Sequence, residues 1–337
     1  MKFYYQIEGL KRNNLGDVIQ GIAAKQFLPN SSIPVNREEL NSIGNEPGFL
    51  IGNGWFQHEF DNFPPPENIT PFYISVHIAK SDFIKLNRVR DHFKKNAPIG
   101  CRDKKTLWLM RGFGIPAYYS SCLTLTIKRE NINNKPNSEI IWVDNIDHPI
   151  PAKIEFKLNE LIPNGFVKIS HDTLSRFSTF DSYVSNNKII VNDFIERYNQ
   201  AQLVLTTKIH CALPCIGMGV PVILIHPNPN DPRLSVLNKL IKIISYEELL
   251  LFKELPKAII NKKAANKYIS KLTYLTTLAV NSKQNPFLNN TNLRLQWQFL
   301  IYRFISLITS FGIKTSYKIG FFKQTIERVF GKEYLIE

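Results

Sequence analysis

Cysteine is scarce in this chain, with four residues in 337, at positions 101, 122, 211 and 215. Their spacing fits no zinc motif, and Cys211 and Cys215 sit one helical turn apart. They read as small, reduced packing residues, which argues against a disulfide framework and against a metal centre. The glycine signatures of phosphate and nucleotide sites are missing too. No GxGxxG follows the first apolar stretch, so a dinucleotide dehydrogenase is poorly supported, and there is no GxxxxGK[ST] loop, GxSxG elbow or HExxH pair. The opening residues, MKFYYQIEGLKRNN, contain no apolar run of signal-peptide length, so a cytoplasmic location is expected. Acidic residues are absent from Leu255 to Ile326, while Lys257, Lys262, Lys263, Lys267, Lys271, Lys283, Arg294, Arg303, Lys314, Lys318 and Lys323 contribute +11 of the formal net +14. Such a basic stretch meets nucleic acid, an anionic membrane surface or solvent. Interleaved aromatic platforms of the kind RNA-binding sheets display are not evident, so no nucleic-acid partner is expected.

What remains is the composition of a folded protein, 44% hydrophobic and 21% charged, long enough for two cores. Strands alternate with helices: Lys2 to Glu8, a helix from about Gly16 to Phe27, strands at Phe49 to Ile51 and Phe72 to Val76, and a basic helix Ser81 to Lys95. A strand Pro98 to Cys101, a helix Lys104 to Phe113 and a strand Ala117 to Ser121 follow. This alternation predicts a Rossmann-like parallel sheet. The polar stretch Lys128 to Ser138 marks a boundary. After it come strands at Glu139 to Val143 and Gly165 to Ile169, a helix Tyr183 to Tyr198, and helices Leu234 to Ile241 and Tyr246 to Leu255 around a short strand at Ile243 and Ile244. The expected domains are therefore 1–127, 139–283 and a basic, aromatic-rich helical tail, 284–337.

The most informative stretch is QLVLTTKIHCALPCIGMGVPVILIHPNPNDPR, Gln202 to Arg233. Leu203 to Leu205 is a buried strand, Thr206 and Thr207 form a polar turn that would cap a helix starting near Lys208, Gly217 and Gly219 end that helix, and Pro221 to Ile225 is a second strand. Lys208 and His210 then stand where a strand ends and a helix begins, the place where open α/β sheets bind ligands and where anions are favoured. Asn14, Gly16 and Asp17 occupy the same kind of junction after the first strand, Gly52, Asn53 and Gly54 follow another strand, and His77 ends the next. Asp17 or Asn14 also suits a plain helix cap.

TTKIHCALPCIGMGVPVI resembles the signature of the polysaccharide pyruvyl transferase family, in which Arg-Leu-His leads into a helix and a Gly-x-Pro-Val-Ile turn. GNGW, FYISVHI and CRDKKTLWLMRGFGIPAYYSSCLTL resemble further family segments, and the Asn-x-Gly-Asp turn is similar as well. Here the basic and apolar positions are Lys208 and Ile209, so a point charge replaces the bidentate Arg. The resemblance implies an α/β fold of two Rossmann-like domains facing across a cleft (GT-B-like). It also implies transfer of pyruvate from phosphoenolpyruvate onto a sugar of a cell-surface polysaccharide or its precursor, with formation of a pyruvyl ketal. A GT-B glycosyltransferase with a nucleotide-sugar donor is the alternative.

That chemistry calls for cations to hold a carboxylate and a phosphate, and for an acid working near neutrality. Lys208, Arg102 and Arg233, with Ile209, are the expected donor-binding residues; His210 is the expected catalyst and His171 the reserve proton carrier. Asn14, Asp17, Asn53 and His77 are expected in the cleft loops. No cofactor is expected, phosphoenolpyruvate being a substrate. Asp144, Asp147 and His148 are close enough in sequence to chelate a metal, but a turn before Pro149 explains them better. The acceptor is a glycan or sugar precursor, lipid-linked if the enzyme works at the inner face of the membrane.

The tail bears on that point. Along LRLQWQFLIYRFISLITSF, residues Leu293, Trp297, Leu300, Ile301, Phe304, Ile305, Ile308 and Phe311 share one helical face, and Arg294, Gln298 and Arg303 lie elsewhere. With Arg294, Gln296, Gln298 and Arg303 in this length, spanning is not expected. Packing back onto the fold and lying on an anionic membrane surface are the two readings.

Overall fold

The computed structural model describes residues 1–8, 14–56, 60–78, 83–128, 138–144, 149–172, 177–288 and 292–316. The chain divides into two compact units, one made of Met1–Gln6, Phe27–Ser121 and the residues from Tyr274 on, the other of Ile7–Gln26 and Cys122–Thr273. The linker expected at 128–138 lies largely outside the described residues, as do Asp147 and His148.

The first unit holds β1 (Lys2–Ile7), β2 (Ile33–Asn36), β3 (Gly48–Trp55), β4 (Ile69–His77), β5 (Ile99–Cys101) and β6 (Ala117–Tyr119) in the order β2-β1-β3-β4-β5-β6. The pairings β1–β3, β3–β4, β4–β5 and β5–β6 are all parallel. Its core is aromatic: Phe56, Phe63, Tyr73 and Phe93 meet ring to ring, with Phe56 and Tyr73 centroids 5.4 Å apart at 89°. Gly52 exists for that packing, since a Cβ there would lie 2.6 Å from the Tyr73 ring. The basic helix expected over Ser81 to Lys95 is two short ones, α2 (Phe83–Arg88) and α3 (Arg90–Lys95), because the backbone at Val89 leaves helical geometry.

The second unit carries α1 (Leu15–Lys25), β7 (Ile140–Asp144), α5 (Ala152–Leu161), β8 (Val167–Ser170), α6 (Phe180–Gln200), β9 (Leu203–Thr206), α7 (Ile209–Met218), β10 (Val222–His226), β11 (Ile243–Ser245) and α8 (Tyr246–Leu251). Its strands run β11-β10-β9-β7-β8, every pairing parallel. Leu158, Leu205, Ile223 and Leu249 centre one core layer. Helix α1 groups with this unit although β1 belongs to the other, so the contiguous span 1–127 expected for one domain does not match the packing.

Helix α7 ends as its sequence requires. Gly219 takes a positive φ of 75° at the cap, and a Cβ on Gly217 would sit 2.2 Å from the Leu125 carbonyl oxygen, so only glycine lets the helix lie against that turn. The helix expected over Leu234 to Ile241 is instead a short 3-10 turn, Pro232–Val236. Two helices went unforeseen: α5, and α9 (Lys262–Ser282), which carries the chain back to the first unit, where α4 (Lys104–Gly112) and α10 (Leu293–Ser316) also lie.

Candidate active site

In the second unit the C-terminal ends of β7, β8 and β9 and the starts of α1 and α7 bring several of the expected residues together. The Thr206 hydroxyl donates to the Val143 carbonyl at 3.0 Å and accepts the Lys208 N–H at 2.9 Å, so the turn between β9 and α7 is tied to the neighbouring strand. Lys208 is the residue before the helix, with no side-chain cap. Ile209 and His210 open the helix, both half-buried.

Helix α1 arrives at the same place. Asn14 caps it, its side-chain oxygen accepting the Gly16 N–H at 3.0 Å while its amide donates to Asp17 at 3.3 Å. The Leu15 N–H donates to the His171 carbonyl at 2.9 Å, and Asn14 bridges to Asp172. The Gln20 amide donates to Asp17 and stands 3.5 Å from His210 Nδ1. A Cβ at residue 16 would lie 3.1 Å from His210 Nδ1 and 3.3 Å from its Cβ, so the glycine makes room for the imidazole.

Lys208 is the electrostatic centre of this group. Burial pulls its ammonium below the usual lysine value, the carboxylates of Asp172 and Asp144 pull the other way, and Arg233 adds to the lowering. Asp144 is anchored by the Ile150 N–H at 2.7 Å and Trp142 Nε1 at 3.2 Å, with Thr207 at 3.5 Å. Arg233 is half exposed and forked onto Asp231, with Nη2 to Oδ2 at 2.7 Å. Hydrogen bonding to Asp231 raises the guanidinium further, and the same contact outweighs burial to hold Asp231 low.

His171 is placed differently from His210. It is buried, stacked on Phe194 at 5.7 Å, with Nε2 2.5 Å from the Tyr198 hydroxyl. Burial, and then the charge of Lys208, push its imidazole down to about 3, so it is neutral at physiological pH. Its described contacts support the loop that receives Leu15.

The remaining expected residues, Asn53, His77 and Arg102, belong to the first unit, at the ends of β3, β4 and β5. All three are buried. His77 Nδ1 lies 2.6 Å from Asp103 Oδ2, and its ring meets Trp55 edge-on at 4.9 Å. Arg102 Nε is 3.9 Å from the same carboxylate oxygen. Asp103 also caps α4, accepting the Thr106 N–H at 2.9 Å. Burial alone would raise this carboxyl, but the hydrogen bond and charge of His77, with Arg102 and Thr106, hold it low. The Asn53 carbonyl accepts from Gln6. Ser75 and Ser121, both buried, hold positive φ of 59° and 68° beside these strand ends. Non-glycine backbone of that kind costs about 1–3 kcal/mol and collects at functional sites. Among the described residues no group of three or more His, Cys, Asp or Glu could hold a metal ion.

Sequence reasoning did not single out Gln20, Asp172, Asp103, Trp55 or Tyr198. Asp172 and Asp103 did carry a signal, each standing within three residues of the end of a predicted strand.

The family model for polysaccharide pyruvyl transferases matches residues 14–229, from the cap of α1 through the loop after β10. The chain belongs to the polysaccharide pyruvyl transferase family. It is therefore a transferase, and the matched span of this pyruvyl transferase contains Asn14, Asp17, His171, Lys208 and His210 as well as His77 and Arg102, and stops before Arg233. No curated protein matches the sequence significantly. Among solved structures, the pyruvyl transferase is similar to a functionally uncharacterised protein of Klebsiella pneumoniae, with 14% identity, 70% of this chain and 87% of that one covered, and a TM-score of 0.42. It is also similar to accessory secretory protein 1, 2 and 3 of Streptococcus pneumoniae, with 11% identity, 94% and 58% covered, and a TM-score of 0.36. Likenesses this distant bear on neither fold nor activity.

Proposed function

We propose that this pyruvyl transferase takes pyruvate from phosphoenolpyruvate and places it as a ketal on two hydroxyls of one sugar in a polysaccharide or its precursor. The observation that carries this is the pairing of Lys208 with His210 at the start of α7, inside the family match and against the Asn14–Asp17 turn. Lys208 and the half-exposed Arg233 supply charge for the donor's carboxylate and phosphate, and the helix start adds backbone N–H groups.

His210 is the general acid. A protonated imidazole gives its proton to the donor's methylene carbon while one acceptor hydroxyl bonds to the neighbouring carbon, and the proton lost by that hydroxyl restores the imidazole. The phosphate then leaves with its bridging oxygen. The second hydroxyl closes the ketal, and its proton departs with the phosphate. Each phosphoenolpyruvate thus yields one ketal and one phosphate.

The test is incubation with phosphoenolpyruvate and a panel of glycosides, following phosphate release and the ketal methyl signal by NMR. His210→Ala is expected to slow turnover by about 100-fold to 10,000-fold, the range for losing a general acid, with the fold retained. Turnover with a nucleotide-sugar and none with phosphoenolpyruvate would overturn the donor assignment. An undiminished rate in His210→Ala would remove His210 from the chemistry.

A further inference from the structure

Helix α10 in the first unit is built inside out. The face it turns to its own unit buries small polar side chains beside a tyrosine stack. Ser306, 1% exposed, donates to the Ile115 carbonyl at 3.0 Å, Thr309 is buried, and Tyr302 stacks on Tyr118 at 5.4 Å and 18°. Leu295 is its one fully buried aliphatic residue among those described. The opposite face carries Leu293, Trp297, Leu300, Ile301, Phe304, Leu307 and Phe311, each between 51% and 69% exposed. A helix bound for solvent puts its apolar stripe inward, and a contiguous exposed row of large side chains marks an interaction surface.

At 3.6 residues per turn these side chains fall in a stripe about 120° wide. Arg294 borders it on one side and Arg303 on the other, and Arg303 lies 5.9 Å from the ring of Phe299. No acidic residue occurs anywhere in α10 or in the sequence around it from Leu255 to Ile326. That charge decides the occupant. A second copy meeting this face about a two-fold axis would set cations against cations, since such an interface is self-complementary. An apolar stripe edged by arginines and free of carboxylates fits the boundary between the headgroups and acyl chains of an anionic bilayer. No described helix is long and apolar enough to cross a membrane.

We infer that α10 is a membrane-docking helix that lies in the interface of an anionic bilayer, stripe down, while its Ser306–Thr309 side remains packed on its unit. Vesicle binding does not depend on the donor or the acceptor, so its outcome stands apart from that of the catalytic reading.

The test is flotation of the full chain with phosphatidylcholine vesicles of rising phosphatidylglycerol content. The bound fraction is expected to climb with phosphatidylglycerol and fall with salt, and Trp emission to shift to the blue in a way that Trp297→Phe removes. Phe304→Ser combined with Leu307→Ser changes only exposed positions and is expected to weaken binding at least about tenfold. Arg294→Gln with Arg303→Gln is expected to weaken it by about 25-fold, at roughly fivefold per cation. Full-chain protein that ignores the vesicles overturns the proposal. So does binding that the serine pair leaves unchanged, which would assign it to charge elsewhere, or a concentration-dependent dimer that the serine pair dissociates.

Discussion

Gly16 is where this site is most open to a clean perturbation. It lies in the first turn of α1, and a methyl group there meets Asn14 Oδ1 at 3.0 Å and His210 Nδ1 at 3.1 Å. Gly16→Ala has two opposing effects. Alanine gains about 0.5–1 kcal/mol over glycine in a helix. Against that, the imidazole and the Asn14 amide must yield by a few tenths of an ångström. Both are side chains that can turn, so the cost is of similar size and net stability should move by less than about 1 kcal/mol. Activity is not buffered in this way. Misplacing a reacting group by 1 Å costs about 100-fold, so a displacement of a few tenths should cost about 3-fold to 10-fold, and Gly16→Val, with two more methyl groups against the same ring, about 100-fold or more. Thermal unfolding and the phosphate-release rate measured on the same samples separate the two effects. Adding Gly16→Ala to His210→Ala should then leave the residual rate unchanged, because the group it displaces is gone. A Gly16→Ala protein with full activity and a higher Tm would show that the position of His210 does not matter to turnover.

Lys208→Ala should raise the donor concentration needed for half-maximal rate far more than that of the acceptor, while Lys208→Arg should keep donor binding within about 10-fold; loss of binding in the Arg variant as complete as in the Ala variant would mean that the site depends on the compact ammonium. His171 gives a stability prediction: its folded pKa of about 3 lies below the unfolded value near 6.5, so between those values the unfolded chain binds more protons. Its contribution is complete above pH 6.5 and is lost as pH falls toward 3, by at most about 5 kcal/mol. His171→Asn should flatten the acid side of the stability profile measured by denaturant titration; an unchanged slope between pH 6 and about 4 would refute the assignment.

Much of this was readable in the sequence. Leu203 to Leu205 and Pro221 to Ile225 are short β-branched and aliphatic runs of the kind that buried parallel strands carry, and both fall in strands of one sheet. Gly219 announced the end of α7 because only a residue without a Cβ adopts its backbone cheaply. The family motif marked Lys208 and His210 for the same reason, since it is local and both residues stand within one turn. The helices α5 and α9 were missed although each has apolar residues at helical spacing, because their polar composition reads equally well as connection.

Local patterning therefore settled most of the strands, several of the helices, and which residues sit at strand ends. Tertiary structure alone decided which strand ends share a neighbourhood. Nothing near position 16 in the sequence says that a glycine there clears space for a histidine 194 residues on, or that Gln20 will face the same ring. Nor does the spacing of His171 distinguish a buried, neutral imidazole bonded to Tyr198 from a proton carrier. The apolar face of α10 was visible as a pattern, but periodicity is the same whether a stripe points in or out. Its direction was settled by Tyr118, Phe287 and the Ile115 carbonyl, which accept a tyrosine and a serine from the other side of the helix and leave the large residues outside.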